Sequence, residues 1–443
     1  MNKVNYTVKE LIQMCKDKNI KGYSGKKKED ILKLINFDKV ENKIENEKFK
    51  FIDLFCGIGG FHQALKLNGT CVFACDIDAK CREIYKENYG LSPHDDITKV
   101  VIEDIPPFDI LCAGFPCQSF SNSGKKGGFN DKRGMLFEYI LKIAVHRNPK
   151  FMFLENVKHI KKIDNGKVFT HILKRINESG YTINESVFEL SPHQMGVPQQ
   201  RERVIFVCVR NDIYDESKTN KLISNINQKQ NIKINLTDFF EKDVDQKYNI
   251  SNELETVLKA WDEMIQVFEI GETISPTILI NEFNTKYSVE EYKKLPKWKQ
   301  DYIEKNKRIY EKYKSQWDKW LNKYSELLKK KEIYGKLEWQ TGKKKENDSI
   351  FNYFIQPRQS GIRVKKAQYF PTLVAIVQTP IYAKEKRYIT PRECARLQSF
   401  PDDFILHKKD NIAYKQLGNA VNVKVVHYVI NETLNVYSGY LSF

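Results

Sequence analysis

The chain is 443 residues long, 41% hydrophobic and 29% charged, with a formal net charge of +16. No apolar run reaches the ~18–20 residues that cross a bilayer, and the N-terminal MNKVNYTVKE has no apolar leader core, so a soluble cytoplasmic protein without membrane contact is expected. Nine cysteines without C-x-x-C spacing or a nearby histidine pair point to reduced thiols and to no metal site.

The charge is unevenly placed. Residues 1–50 hold 13 lysines against 8 acidic residues, and residues 291–346 hold 18 lysines and arginines against 9 acidic residues. Two basic segments around a near-neutral body predict a polyanionic partner, although lysine-rich solvated faces would give the same count. The first forty residues read as two short helices. Thr7 and Glu10 form a capping-box pattern before LIQMC, with Cys15 among its apolar positions, and Ser24 caps GKKKEDILKLI, with Ile31, Leu34 and Ile35 on one face. Lys26, Lys27 and Lys28, at the start of the second helix, are candidates to meet phosphates. With their Gly-Tyr-Ser-Gly-Lys turn, residues 1–40 resemble a SAP motif, a small helix–hinge–helix DNA-binding unit. A helical hairpin packed on the next domain is the simpler reading. Residues 41–50 read as a charged linker.

From residue 51 short apolar runs alternate with helix-compatible segments. FIDLF (51–55), CVFACDID (71–78), FDILCAGF (108–115), FMFLENV (151–157) and RVIFVCVR (203–210) predict strands, separated by pieces such as KCREIYKENYG and GMLFEYILKIAVHRNP. That alternation predicts an α/β domain, an open and mostly parallel sheet covered on both faces. Ligands bind such sheets beyond the carboxyl ends of the strands. Residues 211–290 show little periodicity. In 296–332, Trp298, Tyr302, Ile309, Tyr313, Trp317, Trp320, Tyr324 and Leu327 recur at helical spacing, which predicts an amphipathic helix or helical pair whose aromatic stripe packs inward and whose lysines face out. TPRECARLQSF reads as a Thr-capped helix with proline in its first turn, and AYKQLGNAVNVKVVHYVI as a loop into another helix.

Chemistry-bearing residues gather at the predicted strand ends. DLFCGIGGF (53–61) places Gly57, Gly59 and Gly60 in a turn suited to close backbone approach, but His62 stands where G-x-G-x-x-G needs its last glycine, which disfavours a dinucleotide. Asp76, at the next strand end, is a candidate to hold ribose hydroxyls, and Asp96 to accept from an adenine amino group. A ribose-bearing cofactor without a pyrophosphate points to S-adenosylmethionine. Cys112 reads as a buried core thiol. Cys117 differs, because Pro116 breaks the strand before it and a polar, glycine-bearing loop follows. A turn with oriented amides favours thiolate there. Glu155 in LENV supplies a carboxyl that would be costly in the core unless paired. Arg201 and Arg203 in QQRER, two residues apart and so on one face of a strand, are candidates to compensate it.

In chain order, the glycine turn, Pro-Cys, Glu-Asn-Val, Gln-x-Arg-x-Arg, Arg-Glu-Cys-Ala-Arg-Leu and Gly-Asn-Ala-Val resemble the DNA cytosine carbon-5 methyltransferases, over 51–210 and 371–435. The resemblance implies a Rossmann-like S-adenosylmethionine-dependent sheet at 51–210, a target-recognition domain at 211–370 and a return to the catalytic domain at 371–443. It implies addition of Cys117 to carbon 6 of a cytosine flipped out of duplex DNA, with Glu155 at ring nitrogen 3, Arg203 orienting it and Arg201 a second candidate. Implied contacts of S-adenosylmethionine, and of its product S-adenosylhomocysteine, are Phe55, Gly57, Gly59, Asp76, Ile77, Asp96, Ile97, Pro116, Leu136, Asn419 and Ala420. Ile77 departs from the aromatic residue that many relatives place against adenine. Residues 121–134 read as a lid whose Ser121, Lys125 and Lys126 meet DNA as it closes. A monomeric modification enzyme, with a cognate restriction endonuclease as functional partner only, is expected. Two rival readings use the same motifs: an RNA cytosine methyltransferase, and a non-catalytic DNA-binding scaffold. The long 211–370 region weighs against the first, and intact Cys117, Glu155 and Arg203 against the second.

Overall fold

The computed structural model describes residues 15–16, 27–28, 31, 49–116, 134–183, 186–228, 232, 234–366, 368–373 and 378–441. The SAP-like motif therefore lies almost wholly outside the described residues, as do Lys26, Cys117 and the segment holding Ser121, Lys125 and Lys126. Of the N-terminal positions that are described, Cys15 and Ile31 are buried, and the amide of Ile31 donates to the carbonyl of Lys27 at 3.1 Å. Lys27 is exposed and Lys28 half-buried.

The first sheet contains β1 (Phe49–Leu54), β2 (Gly69–Cys75), β3 (Ile110–Gly114), β4 (Phe151–Val157), β5 (Tyr181–Thr182), β6 (Val187–Leu190) and β7 (Arg203–Arg210). Its order is β2-β1-β3-β4-β7-β5, with β6 also on β7. The bounds of β4 and β7 coincide with the apolar runs that predict them. Residues alternate between the two faces as the pleat requires: Phe151 and Phe153 enter one core, Met152 and Leu154 the other. The first core is covered by α1 (Gly60–Leu65), α2 (Ala79–Tyr89), α5 (Glu216–Asn227) and α12 (Val423–Val436), and the second by α3 (Gly134–Arg147) and α4 (Lys167–Glu178). The sheet is parallel from β2 to β4, as expected, but β7 runs antiparallel to β4, and β5 and β6 antiparallel to β7. An apolar run carries no record of its direction. The reversal brings the first residue of β7, not its last, to the carboxyl end of β4.

A second sheet, ordered β13-β12-β10-β11-β9-β8, is formed by β8 (Ile278–Leu279), β9 (Lys336–Gln340), β10 (Phe354–Arg358), β11 (Gly361–Lys365), β12 (Ile381–Tyr382) and β13 (Arg387–Tyr388). Around it pack α6 (Asn252–Val267), α8 (Lys297–Lys312) and α9 (Lys314–Lys329), while α7 (Val289–Lys294) has no buried residue. The aromatic stripe is largely core: Trp317 and Trp320 are buried against Trp261, with Trp261 and Trp320 ring centroids 4.9 Å apart. Trp298 is the exception, at 62% exposed. Helices α5 and α6 correct the reading of 211–290 as aperiodic. Leu254, Val257, Leu258, Trp261 and Ile265 line one face of α6 behind a Ser251 cap, a helical pattern diluted by Asn- and Lys-rich flanks.

The chain returns through α10 (Pro391–Leu397), which has the expected Thr390 cap, proline and a full capping box with Glu393. AYKQLGN corrects the expected loop. It lies in α11 (Asp410–Asn419), and only the residues between α11 and α12 are loop. The chain enters and leaves the second lobe at a neck of two neighbouring segments, beside which Phe354 of β10 enters the first core. The amide of Ile250 donates to the Lys386 carbonyl at 3.0 Å, and Asn249 bridges Arg387. There Arg387 makes a bidentate, buried ion pair with Glu393, at 2.8 and 2.9 Å. Among the described residues no helix is long and apolar enough to cross a membrane.

Candidate active site

The carboxyl ends of β1 to β4 lie in register, Leu54 opposite Cys75 and Ala113, and Gly114 opposite Glu155. Beyond β1 the chain turns through Phe55 (φ 55°), Gly57 (φ 53°) and Gly59 (φ 86°). A side chain at Gly59 would sit 2.3 Å from the Tyr89 ring, whereas one at Gly57 would meet nothing within 4 Å. Gly59 thus serves packing, and Gly57 opens onto free space above the sheet. His62 fills the place of the missing glycine as a half-buried ring, stacked 3.9 Å from Tyr89 with Nδ1 2.7 Å from the Tyr85 hydroxyl. Burial pushes its pKa down to about 4.

Asp76 ties the turn to the end of β2. Its carboxylate accepts from the Gly57 amide at 2.7 Å and the Asp78 amide at 2.8 Å. Burial raises its pKa, with those amides opposing. Next to it Ile77 is 78% exposed, an apolar surface at the mouth of the turn. The Asp76 amide donates to the His94 carbonyl at 2.9 Å, which brings the 94–97 segment alongside. There Asp96 caps a short turn through Thr98, whose hydrogen bonds hold its pKa low, and Ile97 is buried. From the far end of the chain Val421 reaches the same place: a side chain at Gly60 would lie 2.6 Å from the Val421 carbonyl oxygen, which sets neighbouring Ala420 close to the turn. Asn419 is exposed at the end of α11, Leu136 packs on the second core, and Pro116 is exposed just past β3. The free space over Gly57, the carboxylate beneath it and the apolar Ile77 fit a cofactor with ribose and adenine parts, as S-adenosylmethionine has.

The second half of the site lies at the end of β4. Arg203 Nε stands 2.9 Å from Glu155 Oε1, with both side chains mostly buried. Burial raises the Glu155 pKa, and the Arg203 charge pulls against it. Arg201 also opposes the raised Glu155 pKa through its charge, as expected, but its hydrogen bonds go elsewhere. It precedes β7 and is 2% exposed, and its guanidinium donates to the carbonyls of Leu373, Gly418 and Ala420 at 2.6, 2.8 and 3.1 Å. The expected pair on one strand face is absent because β7 begins only at Arg203.

Two residues escaped the sequence reading. Asn156, buried beside Glu155, donates from Nδ2 to the Phe115 carbonyl at 3.0 Å and so fixes the chain just ahead of Pro116 and Cys117. Its signal was a polar residue closing an apolar run. Asp53, fully buried in β1, has neither carboxylate oxygen in a full hydrogen bond among the described residues, the His62 amide being near but outside that geometry. Burial pushes its pKa well up, against a weaker pull from the His62 amide, and favours the neutral acid.

The profile of the C-5 cytosine-specific DNA methylases matches residues 49–435. The chain is 32% identical over 410 residues to the type II methyltransferase M1.ScrFI of Lactococcus lactis subsp. cremoris, covering 92% of this chain and 83% of that protein. It is 31% identical over 390 residues to the type II methyltransferase M.HhaI of Haemophilus parahaemolyticus, covering 87% and 95%. The crystal structure of the S. pombe Dnmt2 methyltransferase shares the fold, with a TM-score of 0.52 and 21% identity over 87% of this chain and 98% of that one. The chain belongs to the C-5 cytosine-specific DNA methylases, enzymes that methylate carbon 5 of cytosine in DNA with S-adenosylmethionine as donor.

Proposed function

We propose that the protein methylates one cytosine of a specific duplex sequence, flipped out of the helix, through a transient bond between Cys117 and carbon 6. The observation that carries this reading is the Glu155–Arg203 pair at the end of β4, in register with Gly114, three residues ahead of Cys117. The Cys117 thiolate adds to carbon 6, and Glu155 in its acid form donates at nitrogen 3, so the electron pair collects at carbon 5. A raised Glu155 pKa serves that donation. Arg203 holds Glu155 and faces the base carbonyl. S-adenosylmethionine, when bound, supplies an electrophilic methyl group. Gly57, Asp76, Ile77 and Asp96 hold its nucleoside part, with Phe55, Gly59, Ile97, Pro116, Leu136, Asn419 and Ala420 around them. Once carbon 5 carries the methyl group, loss of its proton to water expels Cys117 as thiolate, and nitrogen 3 returns its proton to Glu155.

The second lobe reads the target, and the basic face of α8 and the SAP-like arm add phosphate contacts. Ser121, Lys125 and Lys126 meet the strand near the base. The relatives are type II methyltransferases by name. This supports a modification enzyme that shields host DNA from a cognate endonuclease, which we read as cytoplasmic and monomeric. Purified protein with labelled methyl donor and duplex DNA, single-stranded DNA or transfer RNA tests the reading. Label is expected on duplex cytosines at one sequence by bisulfite sequencing, and label on transfer RNA alone would overturn it. Deleting residues 1–40 should weaken DNA binding without changing that sequence.

A further inference from the structure

The six residues 417–422, the end of α11 and the loop that crosses to α12, are held from several sides. Arg201 donates to Gly418 and Ala420. Gln398 donates to the Leu417 carbonyl at 2.7 Å and to Ala420 at 3.3 Å. Asn422 donates back to Leu397 at 3.0 Å. Val421, in the middle, is wedged between two glycines: a Cβ at Gly60 would stand 2.6 Å from its carbonyl oxygen, and one at Gly114 would stand 3.2 Å from its Cγ2. Gly60 closes the turn over which the cofactor is expected, and Gly114 ends the strand that leads to Cys117. A buried guanidinium is costly unless its donors are matched; among the described residues Arg201 donates from its two terminal nitrogens to three backbone carbonyls and to no carboxylate, while its Nε has no hydrogen-bond partner.

We infer that Arg201 is a positioning residue for the cofactor rather than a group that touches the base: it holds the 418–421 segment so that Val421 spaces the glycine turn from the strand that delivers Cys117. The inference rests on the reading of the site as an S-adenosylmethionine pocket. Arg201 lies two residues from Arg203, so one short segment serves both halves of the site, Arg203 through Glu155 and Arg201 through Val421.

The test compares Arg201→Lys and Arg201→Met with wild type by calorimetric binding of S-adenosylhomocysteine without DNA, by DNA affinity, and by kcat at saturating cofactor. Loss of three charge-assisted hydrogen bonds should weaken S-adenosylhomocysteine binding about tenfold or more in the methionine variant, with partial rescue by lysine. DNA affinity should stay within about threefold and the KM for S-adenosylmethionine should rise more than kcat falls. Unchanged S-adenosylhomocysteine binding with a fallen kcat would overturn the inference and place Arg201 in base activation. Should the methionine variant fail to fold, Gly114→Ala supplies the second route. It should weaken S-adenosylhomocysteine binding, and Val421→Ala in the same chain should restore it by removing Cγ2. No restoration would refute the spacing role. A wild type that binds S-adenosylhomocysteine yet methylates no cytosine would sink the proposed function and leave this inference standing.

Discussion

Arg203 and Glu155 are diagonal, not opposite, across the β4–β7 ladder: Val157 faces Arg203 and Ile205 faces Glu155, yet Nε and Oε1 are 2.9 Å apart. Diagonal neighbours on one face of a sheet lie within reach of a long side chain. Both backbones are fixed by ladder hydrogen bonds, so this half of the site is built on rigid elements.

Replacing Arg203 removes the charge that opposes burial at Glu155. In Arg203→Met the Glu155 pKa should rise further, so the alkaline limb of kcat/KM should move to higher pH, while the rate falls roughly a hundredfold for want of the oriented pair. Arg203→Lys should leave the limb nearer its wild-type position. A pH–rate profile with single-turnover methylation decides it, and an unmoved limb in the methionine variant would remove Glu155 as the titrating acid.

Cys117→Ser should lower turnover at least about a thousandfold while S-adenosylhomocysteine binding holds. Duplex DNA carrying 5-fluorocytosine at the target should form a stable adduct with the wild type, mapping to residue 117 by peptide mass. Comparable methylation by the serine variant would show that the nucleophile lies elsewhere.

His62 gives the fold a pH dependence of its own. Its folded pKa is lowered from 6.5 to about 4, so the stability it contributes is present above 6.5 and is lost as pH falls toward 4, by about 3 kcal/mol in all. His62→Phe should be less stable at neutral pH, since the Tyr85 hydroxyl loses a partner, but its urea midpoint should fall less over that window. Parallel curves for the two proteins would contradict a His62 ring held neutral by its half-buried setting.

Lys305 and Arg308 are exposed on one face of α8, and among the described residues neither forms an ion pair. If that face meets phosphates, the double change to glutamine should reduce the slope of log K against log salt by about 2, without altering the methylated sequence. Fluorescence titration of duplex DNA at several salt concentrations measures the slope; an unchanged slope would assign these cations to solvent.

The strands were legible because β4 and β7 are continuous apolar runs ended by charged residues, and the site because Glu155 is out of place in such a run. The direction of β7 was not legible, since a strand reads the same whichever way it lies; only the register pairs Arg203 with Glu155. Residue spacing puts Arg201 on a strand face, and nothing local announces that its partners are carbonyls some 170 to 220 positions away. Helix α6 carried a full apolar face and a serine cap, and was masked by its polar surroundings.

The neck has a practical meaning for hybrids. Because the chain crosses into the second lobe and out again side by side, at Ile250 and Lys386, that lobe resembles a cassette whose two cut points touch. A graft of residues 250–386 from a relative retains native Arg387 opposite Glu393. A splice made only two residues later imports a stranger at that position and isolates a buried carboxylate, so tolerance of swapping should depend on the side of Arg387 at which the seam is placed.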